Sequence, residues 1–408
     1  MFVTGASIYE VVLPTAWARP PETYSFSSLA TIRECPRRWL LTNSRWGEFA
    51  TFPQRPKPSA IEAQIVHEAL DRLAKELGRV GRPSIDSPAF SSAVVRCEFW
   101  AYFGEQLAEW NARLARHPRA GSSYVLRAKA ADLANLAVRL FREQYRTGHG
   151  KAVLPMFPAI EARASVKSVL CYVKLLEERG HLSELFLKHP LLPLIGVLDL
   201  VQRGEGDRIA IIDFKTGAPR PDHKEQLETY AVLWWRVTGQ FPTHIAVQYL
   251  ESNREWRISP EEIQSREEIL AEEIRQSQAL LQKPPAPAQP GEACRWCPVR
   301  ARCDEGWSFY EQAANQSSPM NSSIDAELVV TSPRGSTGFL AKRLNNREVK
   351  IVYEPATGAG LPLIVVGDRI RLIDALAQPG GNEIKLLPWT ETYRISFRSA
   401  NSPEDTSC

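Results

Sequence analysis

The spacing of hydrophobic and polar positions changes several times along this chain, and each change marks an element. Between Ile61 and Leu77, apolar residues Ile65, Val66, Ala69, Leu70, Leu73 and Leu77 recur at helical intervals. They predict an amphipathic helix with His67 on the flank of its apolar stripe. Residues 92–150 keep a helical period in Arg-, Ala- and Leu-rich sequence and predict two or more helices capping a sheet. The period then shortens. Asp199-Leu-Val-Gln-Arg and Arg208-Ile-Ala-Ile-Ile-Asp213-Phe-Lys215 flank a Gly204-Glu-Gly206-Asp207 turn, which predicts a hairpin. Lys224 to Trp235 is helical, and His244 to Glu251 alternates as a strand. Ser259-Pro260-Glu-Glu262 is a capping box with proline at the first helical position, opening a helix to about Leu281.

Other stretches read less regularly. Residues 1–23 form an irregular lead-in. Ser27 or Ser28 caps a short helix that ends near Cys35, before Pro36. Ala159 to Leu170 is expected as a strand carrying Glu161 inward, and Lys174 onward mixes helix and loop. Pro284 to Gly291 is a stiff, proline-rich connector. Past a polar linker at 311–324, short strands recur at Ala326–Thr331, Gly338–Leu344, Val349–Glu354, Leu363–Val366, Arg369–Leu372, Glu383–Leu387 and Tyr393–Phe397. That rhythm predicts a small all-β barrel over 325–398. An oligonucleotide-binding (OB-like) barrel is one fit, permitted by Arg334, Lys342, Arg343 and Arg347; a purely structural barrel is the other. A polar tail, 399–408, closes the chain.

Composition narrows the classes. A chain of 408 residues with 44% hydrophobic content holds two domains or three. No apolar run approaches the roughly 20 residues of a membrane span. Met1-Phe-Val-Thr-Gly lacks a basic segment leading into an apolar one, so no secretory signal is expected. The net charge of +3 neither demands nor excludes nucleic acid. Seven cysteines, at 35, 97, 171, 294, 297, 303 and 408, are odd in number and unevenly spaced, against a disulfide framework. Three of them crowd into Cys294-Arg-Trp-Cys297-Pro-Val-Arg-Ala-Arg-Cys303, which suggests a metal centre in a reducing cytoplasm. Three thiols are one short of a closed site. Zinc with a distant fourth ligand and a [4Fe–4S] cluster both fit, and Cys35 is the attractive fourth.

The hairpin carries the sharpest chemistry. Strand alternation points Asp213 and Lys215 the same way, and the hairpin brings Asp199 to that side. Two carboxylates and a lysine among isoleucines are costly to bury unless a divalent cation offsets the charge. Such an ion coordinates a phosphate oxygen and acidifies a water, while Lys215 orients that water or stabilises developing charge. Hydrolysis of a phosphodiester fits; an edge-strand salt bridge is the plain alternative. Gln226 and Tyr230, four apart on one helix face, can reach a phosphate backbone or sit at the edge of a core helix. Arg33, Arg37, Arg38 and Arg45 interleave with Trp39 and Trp46, as for single-strand binding or as packed tryptophans beside solvated arginines.

Taken together these stretches resemble the PD-(D/E)XK nuclease superfamily, specifically its RecB-type exonuclease branch with an iron–sulfur cluster, which includes the AddB nuclease domain and CRISPR-adaptation nucleases. The resemblance covers about 24–305. It rests on an ordered series: Ser-x-Ser-x-Leu leading to Cys35-Pro; Ile65-Val-His67-Glu; Gly196-Val-Leu-Asp199; Ile212-Asp213-Phe-Lys215-Thr-Gly; Gln226-Leu-Glu-Thr-Tyr230; and Cys294-x-x-Cys297 with Cys303. It implies an α/β, restriction-endonuclease-like core over 24–310, a mixed central sheet flanked by helices, with a helical insertion at about 85–190. It also implies a Mg²⁺ or Mn²⁺ held by His67, Asp199, Asp213 and the Phe214 backbone carbonyl, with Lys215 catalytic. Gln226 and Tyr230 would contact DNA, and Cys35, Cys294, Cys297 and Cys303 would ligate a structural [4Fe–4S] cluster in preference to zinc. The chain departs from the pattern at Ala63, usually glycine, and has Asp213 in place of glutamate; the insertion is long and the barrel lies outside the match. The expected function is a DNA nuclease acting on single strands or free ends in repair, recombination or defence. The rivals are a non-cutting scaffold and a nuclease active only with a helicase or CRISPR partner. No Gly-x-x-x-x-Gly-Lys-Ser/Thr loop occurs, so helicase activity would come from a partner.

Overall fold

A computed structural model describes residues 8–11, 13–56, 58–80, 83–117, 119, 126, 128–147, 169–204, 206–215, 219–249, 252–314, 323–333, 338–343, 346–353, 364–379, 381–387 and 390–395. The expected irregular lead-in contributes a strand, β1 (Ile8–Val11). Helices α1 (Phe26–Glu34) and α2 (Pro36–Asn43) meet at Cys35, whose extended backbone breaks the helical path before Pro36 starts the second. The cap of α1 is Ser25, not Ser27 or Ser28. Its hydroxyl accepts from the Ser28 amide at 3.2 Å, and its own amide donates to the Ser28 hydroxyl at 2.9 Å.

Four helices follow: α3 (Pro58–Arg79), α4 (Pro88–Arg96), α5 (Phe99–Ala115) and α6 (Ala130–Thr147). They share a core of their own, with Ile65, Leu73, Phe99, Phe103 and Ala137 fully enclosed. The strand expected over Ala159–Leu170 falls mostly outside the described residues, Glu161 included, and Val169 and Leu170 instead open α7 (Val169–Arg179). The helical insertion ends there, short of 190, because β2 (His181–Lys188) already belongs to the central sheet.

That sheet continues with β3 (Ile195–Arg203), β4 (Ile209–Lys215), β5 (His244–Tyr249) and β6 (Asn253–Arg257), side by side in chain order. Only the β4–β5 pairing is parallel. A parallel pair needs a crossover, supplied by α8 (Asp222–Thr238). Helix α9 (Pro260–Leu281) packs on α8 and carries the expected capping box, with Ser259 and Glu262 bonded reciprocally at 2.7 and 3.3 Å. Leu198, Val201, Ile211, Trp234, Ile245 and Val247 lie at the centre of this layer, shut off from solvent.

After two short 3-10 turns, Glu292–Trp296 and Arg300–Arg302, comes α10 (Asp304–Ala314). The barrel then runs β7 (Ser323–Pro333), β8 (Gly338–Arg343), β9 (Glu348–Tyr353), β10 (Arg369–Ala377), β11 (Glu383–Leu386) and β12 (Glu391–Ile395). Five of these close a ring in the order β7-β8-β9-β11-β10, with β10 returning to β7 and β9 parallel to β11. This Greek-key closure is that of an OB-like barrel. Strand β12 lies antiparallel beside β10 outside the ring, and β1 lies parallel beside β12. No strand forms over the described part of Leu363–Val366. Ile364 to Val366 leads instead into a turn in which the Asp368 carboxylate accepts from the Val365 amide at 2.9 Å.

Candidate active site and cysteine pocket

The hairpin forms as its sequence requires. The β3–β4 register pairs Leu200 with Ile212 and Val201 with Ile211, and Asp199 and Asp213 are the next residues beyond that pairing on their two strands. Alternation then sets both carboxylates on the face that also carries Val201 and Ile211. Asp199 Oδ2 accepts from the Phe214 amide at 2.8 Å, which fixes the first carboxylate against the backbone of the second strand. Asp213 is 1% exposed. The Lys215 ammonium lies 2.7 Å from its Oδ2, an ion-pair distance, and no other group bonds this buried oxygen among the described residues. A buried carboxylate oxygen with no other partner is a natural cation ligand.

His67 lies on α3, but its side chain is outside the described part of the structure. Among the described residues no three His, Cys, Asp or Glu side chains converge as ligands of one ion, so the two aspartates stand as a pair. Phe214 is placed by the parallel ladder, level with Gln248 on β5.

Helix α8 brings the remaining polar groups. Gln226 Nε2 donates to the Tyr230 hydroxyl at 2.7 Å. The helix crosses β3 so closely that a Cβ on Gly196 would lie 2.7 Å from Leu233 Cδ1 and 3.0 Å from Tyr230 Cε1. Glycine at 196 is therefore what lets α8 pack this closely on β3. Two further groups escaped the sequence reading. His223, in the first turn of α8, has Nδ1 2.9 Å from the hydroxyl of Tyr249, the last residue of β5 and the register partner of Lys215. Burial pushes the His223 imidazole below its usual range. The nearby Lys215 and Arg220 charges push the same way, and Asp222 and Asp213 oppose them. No sequence spacing marks this pair, because a helix start and a strand end meet only after the crossover folds back.

The arginine–tryptophan stretch is structural. Trp39 and Trp46 are 8% and 3% exposed, too enclosed to stack on bases. Arg33 pairs with Glu225 at 2.9 Å and Glu273 at 3.1 Å, Arg37 with Glu305 at 3.1 Å, and Arg38 with Glu34 at 2.5 Å. These contacts join the N-terminal helices to α8, α9 and α10.

Cys35, Cys294, Cys297 and Cys303 line one small pocket, partly open to solvent, together with Arg37, Arg38 and Gly306. A Cβ on Gly306 would come 3.2 Å from Cys294 Sγ and 3.5 Å from Cys303 Sγ, so glycine keeps the pocket clear. The Cys35 thiol accepts from the Arg38 amide at 3.4 Å and the Cys294 thiol from the Gly291 amide at 3.5 Å. Burial pushes the Cys297 thiol up to about 11 and the Cys303 thiol up to about 12. Of the other cysteines, Cys97 is buried and free in the helical layer, while the Cys171 side chain and Cys408 lie outside the described part.

Comparison with known proteins follows the same outline. A family model of the PD-(D/E)XK nuclease superfamily matches residues 23–304. No curated protein matches the chain. Among solved structures it is similar to one described as "Crystal structure of SSO0001", at 12% identity and a TM-score of 0.22, covering 61% of this chain and 96% of that one. It is also similar to one described as "Structural mimicry for functional antagonism", at 11% identity and a TM-score of 0.17, covering 47% and 79%. No described helix is long and apolar enough to cross a membrane.

Proposed function

Because the chain belongs to the PD-(D/E)XK nuclease superfamily, we propose that it is a divalent-cation-dependent nuclease that hydrolyses phosphodiester bonds in single-stranded or free-ended DNA. The observation that carries this reading is Asp199 held at 2.8 Å by the amide of Phe214, the residue after Asp213, with the Lys215 ammonium beside the buried Asp213 carboxylate.

Asp199 and Asp213 would hold Mg²⁺ or Mn²⁺, joined by His67 and the Phe214 carbonyl. When bound, the ion supplies charge neutralisation at the phosphate and a more acidic water. The chain's own residues do the rest. Lys215 orients the attacking water or stabilises charge on the phosphate. The Phe214 amide keeps Asp199 turned toward the site. Gln226, half-buried and bonded to the hydroxyl of the buried Tyr230, would offer its amide to the DNA backbone, with Tyr230 positioning it.

The finer assignment is the RecB-type branch with a [4Fe–4S] cluster on Cys35, Cys294, Cys297 and Cys303. Its support is that four thiols line one pocket that Gly306 keeps clear. A brown purified protein with four irons per chain is expected; a colourless one with stoichiometric zinc assigns the site to zinc. Action within an assembly, with a helicase or a CRISPR-adaptation protein, accords with the absence of a nucleotide-binding loop.

The test is cleavage of end-labelled single-stranded DNA by the purified chain with Mg²⁺. Wild type is expected to degrade it, and Lys215→Ala to lose at least about a hundredfold in rate, the usual worth of one electrostatic stabiliser. Equal cleavage by the two proteins overturns the mechanism, and no cleavage by wild type with or without host partners favours a non-cutting scaffold.

A further inference from the structure

Asp213 Oδ2 is asked to serve two cations. In this structure it faces the Lys215 ammonium at 2.7 Å, and the same oxygen, bonded by no other group among the described residues, is the one for a metal to use. A lysine ammonium and a divalent ion repel each other, so the site works only if Lys215 has somewhere else to go.

The sheet offers one polar neighbour at the right level. On the β5 side, Lys215 is paired in register with Tyr249. Tyr249 is 8% exposed, and its hydroxyl is held by His223 Nδ1 at 2.9 Å, the two rings tilted with centroids 5.8 Å apart. We propose that the Tyr249 hydroxyl, oriented by His223, is where the Lys215 ammonium rests when a cation occupies Asp213. This rests on the active-site reading above.

The direction of the hydrogen bond makes the arrangement work. A neutral imidazole has one nitrogen free to accept. Burial and the positive charges of Lys215 and Arg220 favour the neutral ring, against Asp222 and Asp213. Nδ1 then takes the phenol proton. The lone pairs of the Tyr249 oxygen are left for the ammonium, which donates and accepts nothing. His223 is thus a positioning residue that acts through Tyr249, and Tyr249 keeps Lys215 near the phosphate without leaving it on the metal's ligand.

Mn²⁺ affinity of the purified full chain, by titration calorimetry, tests this without reference to cleavage. Tyr249→Phe removes the resting place, so Lys215 stays on Asp213 and competes. Mn²⁺ should bind roughly tenfold more weakly, the worth of one hydrogen bond to a charged group. His223→Leu should weaken binding in the same direction, and His223→Gln, whose amide oxygen still accepts the phenol proton, should restore part of it. Lys215→Ala should bind Mn²⁺ more tightly than wild type, and adding Tyr249→Phe to it should change nothing. A Tyr249→Phe effect of equal size with and without Lys215, or no effect in either background, overturns the proposal and leaves the active-site reading standing. Wild-type protein without Mn²⁺ binding that Asp213→Asn removes overturns both.

Discussion

Asp213 is a buried charge in the middle strand whose Oδ2 faces the Lys215 ammonium at 2.7 Å, and a buried ion pair of this kind adds little net stability because desolvation offsets its attraction. The one partner, Lys215, keeps a quarter of its side chain exposed and can turn to water if the carboxylate is removed. Asp213→Asn is therefore expected to abolish cleavage while the metal-free protein unfolds at the same temperature or slightly higher. Scanning calorimetry in chelator reads this directly, and a fall of many degrees would assign the carboxylate a structural role instead. At this scale the sequence was informative wherever strand alternation fixes direction. Asp199, Asp213 and Lys215 could be placed on one side because a short turn joins two adjacent strands. His223 and Tyr249 could not, since 26 residues of crossover separate them. His67 is readable only through the family pattern.

Among the elements, the link between β2 and β3 shows how a single side chain holds a turn. His189 Nδ1 accepts from the amides of Leu191 and Leu192 at 3.1 and 2.8 Å, so its proton sits on Nε2, which donates to Glu267 on α9 at 2.8 Å. Burial lowers the pKa of this imidazole; Glu267 raises it and Arg236, which also pairs with Glu267, lowers it, leaving it below 6.5. The unfolded chain then binds a proton in the window where the folded one does not. Stability from this group is complete above the unfolded value of about 6.5 and is lost as pH falls below it. Glu267, whose pKa is also lowered, adds its own loss only further down, in the carboxylate range. The unfolding temperature should drop between pH 7.5 and pH 5.5, and His189→Gln should flatten that drop; parallel slopes for the two proteins would clear His189 of the effect. The neighbouring elements show what the pattern could not reveal. Strand β2 mixes His181, Ser183 and Glu184 into its alternation, and β6, at the sheet edge beside β5, is exposed along most of its length. Helices α3 and α9 were legible because an apolar stripe and a capping box are local signals.

At the scale of the whole molecule, one peptide serves two masters. The run from Cys297 to Trp307 carries two of the four pocket cysteines and also forms the socket of the barrel. Arg300 pairs with Asp325 at 2.6 Å and Asp374 at 3.4 Å. The Ala301 carbonyl accepts from Arg371 at 2.9 Å, and Asp304 pairs with the same guanidinium at 2.7 Å. Ala301 and Trp307 are enclosed with Ile373 and Tyr393. From the helical layer, Arg119 meets Glu391 through two contacts of 2.9 Å and donates to the Pro298 carbonyl at 3.3 Å. None of this was visible in the sequence, where Arg119 and Glu391 lie 272 residues apart and β1 finds β12 from the opposite end of the chain. The barrel's strand positions were local and legible; its docking is not. The consequence concerns the group proposed for the cysteines. With such a group bound, the Cys297–Cys303 loop would be tied at both ends; without it, the same loop is held by the flanking ion pairs, the Arg371 and Arg119 hydrogen bonds and the packing of Ala301 and Trp307. On that proposal, Cys297→Ser, or removal of the metal, should speed amide exchange in β10 and β12 while β3, β4 and β5 stay protected. Hydrogen-exchange mass spectrometry separates the two regions. Exchange unchanged in the barrel would mean that the flanking contacts alone fix its position, and faster exchange throughout would mean that the cysteine pocket supports the whole fold and not the docking in particular.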